Sequence, residues 1–229
     1  MNAEFAHDKK SGIISRDCDS CLREPLVSCD WRRIDEDIMR LFGKSTDVSS
    51  LLRSAVIVPL LQISDKLAVL LVEKRKDLPK HGGQVAFPGG RKEPYDVGPV
   101  DTALREFAEE TGLPSDVVCV VGMLEPEVTY TTGYVIVPIV GFIKNADILK
   151  QVRVDTNEIT RIILFFLDEA NRQDFKAETL TLSSGISLLY PEYELKGGLR
   201  IWGATARILL KILAYAEDFF QGALGSKWP

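Results

Sequence analysis

Five carboxylates, Asp96, Asp101, Glu106, Glu109 and Glu110, fall within fifteen positions of the stretch FPGGRKEPYDVGPVDTALREFAEETGL, Phe87 to Leu113. Like charges crowded this way cost stability unless a cation answers them. An α-helix turns about 100° per residue, so with Glu106 at zero, Glu109 lies about 60° to one side and Glu110 about 40° to the other. Leu104, Phe107, Ala108 and Thr111 fall on the far side, and Arg105 precedes Glu109 by the four residues of a helical ion pair. The spacing predicts a helix with one buried face and one carboxylate face. Such a face suits a hard divalent cation: Mg2+ takes oxygen ligands, keeps some of its waters and shares substrate phosphates. Zn2+ favours nitrogen or sulfur, which this segment lacks. A bound Mg2+ polarises phosphoryl oxygens and lowers the pKa of its water. Glutamates three and four apart also occur on plain solvated helices. The frame weighs against that: PGG before the helix lets bare backbone approach a metal or phosphate, and a glycine turn closes it.

A diphosphate needs positive charge beyond a metal. EKRKDLPKHGGQ offers Lys74, Arg75, Lys76, Lys80 and His81, and GGRK adds Arg91 and Lys92. Guanidinium and ammonium groups bind phosphate oxygens by charge-assisted hydrogen bonds. We expect at least two of these to contact substrate, with Arg75, Lys80, His81 and Arg91 as the candidates. The bland alternative is a basic edge that discourages strand-to-strand association. His81, beside two glycines, suits a general acid, a phosphate donor or a plain loop residue. Tyr130, Thr131, Thr132 and Tyr134 either line an acceptor channel or sit in a strand-linking loop.

These residues need a scaffold. The apolar runs SAVIVPLLQI and LAVLLVEKR, separated by SDK, read as paired strands. DVVCVVGMLE, YVIVPIVGFI and ITRIILFFL read as three more, and LDEANRQ as a short helix. IWGATARILLKILAYAEDFF reads as a long helix with Ile201, Ile208, Leu209 and Ile212 on its apolar stripe. The acidic helix is expected to be capped by Asp101 or Thr102 and ended by Gly112. IDEDIMRLFG, Ile34 to Gly43, predicts a further short helix. The result is one mixed α/β domain over 34–229, preceded by an extension over 1–33. CDSC, with Cys18 and Cys21, has the spacing of a zinc knuckle, and Cys29 offers a third ligand. A fourth is missing nearby unless His7 reaches, so the extension reads as uninformative. Cys119 lies in an apolar run and reads as core.

The chain has 229 residues, 45% hydrophobic and 27% charged, an ordinary globular composition. A net charge of −5 argues against duplex nucleic acid or an anionic membrane as the main partner. The polar start lacks a signal-peptide core, and no apolar run approaches a bilayer span, so a cytoplasmic location is expected. The oligomeric state stays open, a homodimer included.

Arg105-Glu106-Phe107-Ala108-Glu109-Glu110-Thr111-Gly112-Leu113 resembles the second half of the Nudix box, G-x5-E-x7-R-E-U-x-E-E-x-G-U, with Phe107 in place of the aliphatic residue. The first half departs: Gly90 to Leu113 is one residue longer, and Asp96 stands one step early for the usual glutamate. The Nudix subfamily of coenzyme A pyrophosphatases carries this longer spacing. LLVEKRKDLPKHGGQVAFPGG is similar to that subfamily's signature, with Pro79 where the signature has a basic residue. TGYVIVPIVGFI and IWGATARILL match it as well. The resemblance implies an α/β/α sandwich with a mixed β-sheet. Its activity would be divalent-metal-dependent cleavage of a nucleoside diphosphate linked to another moiety, coenzyme A or acyl-CoA first. ADP-ribose, a nucleotide sugar or a dinucleotide are alternative substrates, and a non-catalytic nucleotide sensor is the alternative of another class. Carried over, Glu106, Glu109 and Glu110 hold Mg2+ or Mn2+, with a carbonyl from Gly90. Asp96 is an accessory, Arg105 orients Glu109, and Glu158 is the candidate further acid.

Overall fold

The two Val/Ile/Leu runs form the predicted pair: β1 (Leu52–Ile63) and β2 (Lys66–Lys74) are a tight antiparallel hairpin with Ile63 opposite Lys66. This computed structural model describes residues 30–32, 34–36, 50–79, 81–129, 133–181, 185 and 187–222. Cys18, Cys21, Cys29, Lys80, Tyr130, Thr131 and Thr132 lie outside the described residues, as does most of the predicted helix from Ile34 to Gly43.

β1 and β2 stay paired only from Leu60 to Ile63 on the β1 side. Beyond that they take different neighbours. β1 takes β4 (Gly89–Arg91), with Ala55 opposite Gly90, while β2 takes β3 (Val85–Ala86) and β8 (Ile159–Phe166). β7 (Tyr134–Ile143) runs parallel to β1, and β5 (Val118–Met123) and β6 (Glu127–Val128) pair with β7 antiparallel. The eight strands make one mixed sheet.

Successive strand residues point to opposite faces, so the apolar runs supply two cores. On one face Ile57, Leu61, Leu70 and Ile139 pack with Val100, Ala103 and Phe107 of α1 (Pro99–Thr111). On the other, Val58, Val69, Leu71 and Val140 pack with Ala206, Ile208 and Leu209 of α2 (Gly203–Gly222). This is the expected sandwich, and Cys119 is buried in it as predicted. Among the described residues no helix is long and apolar enough to cross a membrane.

Three local expectations change. α1 is capped by Gly98, not by Asp101 or Thr102, because Pro99 has no N–H to satisfy and its fixed φ starts the helix earlier. Asp101 Oδ2 instead accepts the backbone N–H groups of Val97 and Gly98 at 3.0 and 2.9 Å. LDEANRQ forms two short 3-10 turns, Leu167–Glu169 and Arg172–Asp174. Ile201 and Trp202 belong to β11 (Arg200–Trp202), not to the last helix. β11 joins β10 (Ser187–Glu194) and β9 (Lys176–Thr181) in a separate antiparallel sheet that the sequence did not disclose. The residues of β9, KAETLT, are almost all exposed, so no buried face imposes the apolar alternation that marks a strand.

Candidate metal and diphosphate site

The acids of α1 are graded by burial instead of sharing one exposed face. Ala103, Phe107, Glu110 and Thr111 recur at helical spacing and are all buried. The Glu109 side chain is 56% exposed, that of Glu106 16% and that of Glu110 only 3%. Leu104 and Ala108, expected on the buried side, are half-buried.

Two cations answer the crowded charge. Arg105 grips Asp96 with two nitrogens, Nε to Oδ1 at 3.2 Å and Nη2 to Oδ2 at 3.0 Å. Its Nη1 donates to Glu106 Oε1 at 2.9 Å and Glu109 Oε2 at 3.0 Å, and Nη2 also donates to the Arg91 carbonyl. Lys74, at the end of β2, places Nζ 3.0 Å from Glu110 Oε1. Glu110 Oε2 accepts the Gly89 N–H at 3.1 Å. A Cβ on Gly90 would overlap the Glu106 carboxylate, so the bare backbone there is what lets Glu106 lie against β4. Glu106 and Glu110 thus meet the same glycine pair from adjacent turns. Among the described residues no three His, Cys, Asp or Glu side chains stand together as a ready ligand group; Arg105 and Lys74 engage the acids instead.

Burial pushes the Glu110 carboxyl up to about 7, only partly offset by Lys74 and the Gly89 N–H. Burial also raises Glu106 against the pull of Arg105. Burial acts the same way on Asp96, but hydrogen bonds from Arg105, the Glu93 N–H and Thr102 outweigh it and hold the carboxyl below its usual range. A carboxyl raised on folding binds protons in the folded state. Its contribution is therefore fully present below its ordinary value of 4.5 and is lost as pH climbs through about 7. The corresponding penalty at higher pH is about 3 kcal/mol. In metal-free protein, the stability of Glu110→Gln relative to wild type should therefore rise between pH 5 and pH 8. Urea unfolding at both pH values measures it, and a flat difference would contradict the raised carboxyl.

The other predicted residues distribute unevenly. Glu158 closes a turn whose members Arg153 and Asp155 donate their N–H groups to the Thr111 and Glu110 carbonyls. Its own carbonyl accepts the Arg75 N–H, so this turn joins the end of α1 to the end of β2. The Arg75 guanidinium bonds Asp77 and the Thr156 carbonyl. His81 is exposed at φ 60°, with Nδ1 3.0 Å from Gln84 Oε1. The strained backbone of His81 closes the loop between Lys74 and Gln84. Arg91 is exposed at the end of β4. Sequence reasoning grouped Lys74 with the substrate-side cations and gave it no acid partner; only its position ending an apolar strand could have marked it. Tyr95, whose ring lies 5.8 Å from the Arg105 guanidinium carbon, gave no signal at all. A separate open cleft of about 1010 Å³, lined by Phe175, Lys176, Tyr190 and Arg207, involves none of these acids.

Residues 51–182 match the model of the NUDIX domain. Curated relatives from Yersinia pestis (strain Pestoides F) and Yersinia pseudotuberculosis serotype O:1b, each called an uncharacterized Nudix hydrolase NudL, are 43% identical over 91 residues. The match covers 40% of this chain and 45% of each relative, so the chain spans about half the length of the curated relatives it matches. A mutT/nudix family protein from Listeria innocua superposes with a TM-score of 0.47 at 15% identity, covering 76% of this chain and 98% of its own. The family model alone spans more than half of the chain, and the chain belongs to the Nudix family.

Proposed function

We propose that this chain is a divalent-metal-dependent pyrophosphohydrolase acting on a nucleoside diphosphate linked to another moiety. Coenzyme A or an acyl-CoA is the first candidate, cleaved to 3′,5′-ADP and 4′-phosphopantetheine or its acyl form. The observation that carries the reading is the meeting of Glu106 and Glu110 at the Gly89–Gly90 backbone, with Glu109 on the next exposed position of the same helix. The donors there are all oxygen, and the missing Cβ at Gly90 gives the Glu106 carboxylate room, which fits Mg2+ or Mn2+. Glu106, Glu109, Glu110 and the Gly90 carbonyl would hold the ion, which when bound supplies a Lewis acid for the diphosphate and an acidified water.

The chain's own groups do the rest. Arg105, fixed by Asp96, sets the orientation of Glu106 and Glu109. The Glu158 carboxylate takes a proton from the attacking water as its oxygen bonds to one phosphorus. The bridging P–O bond breaks with its electron pair going to the departing phosphate, and two phosphate monoesters result. Arg75, Lys80, His81 and Arg91 neutralise the phosphoryl oxygens. Pro79 at a position the coenzyme A signature reserves for a basic residue keeps ADP-ribose, nucleotide sugars and dinucleotides in the test. The experiment is a mass-spectrometric panel of coenzyme A, acyl-CoA, ADP-ribose and dinucleotides with Mg2+ and with Mn2+, in H2 18O to locate the broken bond. Preferred cleavage of coenzyme A is expected. Binding of a nucleotide without cleavage of any candidate would replace the enzyme with a sensor.

A further inference from the structure

Lys74 has a position that the proposed chemistry does not use. Alternation along β2 sends Ala68, Leu70 and Val72 into the core beneath α1, and Lys74 continues that series at the strand's end. The ladder to β8 shifts register between Glu73 and Lys74. Glu73 pairs with Arg161, leaving Lys74 as the ion-pair partner of Glu110. Of the two Glu110 oxygens, Oε2 is taken by the Gly89 N–H, and Oε1, 3.0 Å from Lys74 Nζ, is the one left for a further ligand. A carboxylate buried this deeply and left without a counter-charge would be strongly destabilising.

We propose that Lys74 is a placeholder cation: its ammonium and the divalent ion are alternative occupants of Glu110 Oε1, and metal loading expels the lysine toward solvent. This rests on the reading of Glu110 as a metal ligand. An ammonium and a divalent ion crowded onto one oxygen in a poorly solvated site repel each other strongly. The lysine is the partner free to leave, because its side chain retains 19% exposure and has a flexible four-carbon stem. Before loading, the ammonium pairs with Glu110 and keeps the acidic turn packed; after loading, the metal takes over that work.

The test uses the wild-type chain at pH 8 without substrate. Lysines are acylated briefly with a limiting amine-reactive ester, with Mn2+ or with NaCl of matched ionic strength, and labelling is read by peptide mass spectrometry. Labelling of Lys74 is expected to rise about threefold or more with Mn2+, from an ion-paired to a released amine, while exposed Lys176 on β9 stays constant. Calorimetry on the same preparation reports Mn2+ binding independently. Bound Mn2+ with unchanged Lys74 labelling overturns the placeholder and leaves the metal reading standing; no Mn2+ binding removes both. As a second arm, Lys74→Met is expected to bind Mn2+ about tenfold more tightly at pH 8, because a repelling charge is gone. Weaker binding by a folded variant would also overturn the proposal.

Discussion

Glu109→Gln is expected to lower turnover by about a hundredfold or more, the scale for removing one charged group from a site of this kind, with almost no change in unfolding midpoint. The second half of that expectation comes from geometry. Glu109 is the exposed member of the acidic turn, and its carboxylate bonds Arg105, which keeps Asp96, Glu106 and the Arg91 carbonyl when Glu109 is neutralised. An exposed ion pair of this sort contributes about 1 kcal/mol or less. The loss of turnover would come from removing a charged oxygen ligand and from freeing the Arg105 nitrogen that holds it. Steady-state kinetics with saturating Mn2+, alongside calorimetric unfolding, separates the two effects. Near-normal turnover would remove Glu109 from the site.

Asp96→Ala should behave in the opposite way, striking the fold first. Asp96 is 5% exposed and accepts hydrogen bonds from the Glu93 N–H, Thr102 Oγ1 and two nitrogens of Arg105. Truncation leaves a buried hydroxyl and a largely buried guanidinium without their acceptor, at a cost of about 3 kcal/mol. Asp96→Asn, which keeps the shape and one acceptor oxygen, should lose less. Activity should fall in both, because Arg105 positions Glu106 and Glu109 only while it is itself anchored. Denaturant unfolding measures the difference, and a loss below about 1 kcal/mol for the alanine variant would show that Asp96 is not the anchor. The box's one-residue departure would then be without consequence for Arg105.

The composition and order of residues already determined much of this. Val/Ile/Leu runs bounded by turn residues announced β1, β2, β5, β7 and β8, since burial on both faces of a sheet leaves a nearly continuous apolar signature. Gly112 marked the end of the acidic helix, though its start lay earlier than expected, and an all-oxygen donor set pointed to a hard cation. The small sheet β9–β11 left no comparable mark, because β9 is almost wholly exposed, β10 only half-buried, and β11 contributes the single buried residue Ile201.

The charge balance of the site belongs to tertiary structure. Helical spacing gives the angles among Glu106, Glu109 and Glu110, but only packing on the sheet sets which angle faces the core. That packing puts Glu110 in line with Phe107 and buries it. The cation that meets it, Lys74, comes from a strand 36 residues earlier. That partner could not be assigned from spacing, because a buried charge is matched by whichever opposite charge the fold brings near, and nearness across a sheet has no fixed interval along the chain.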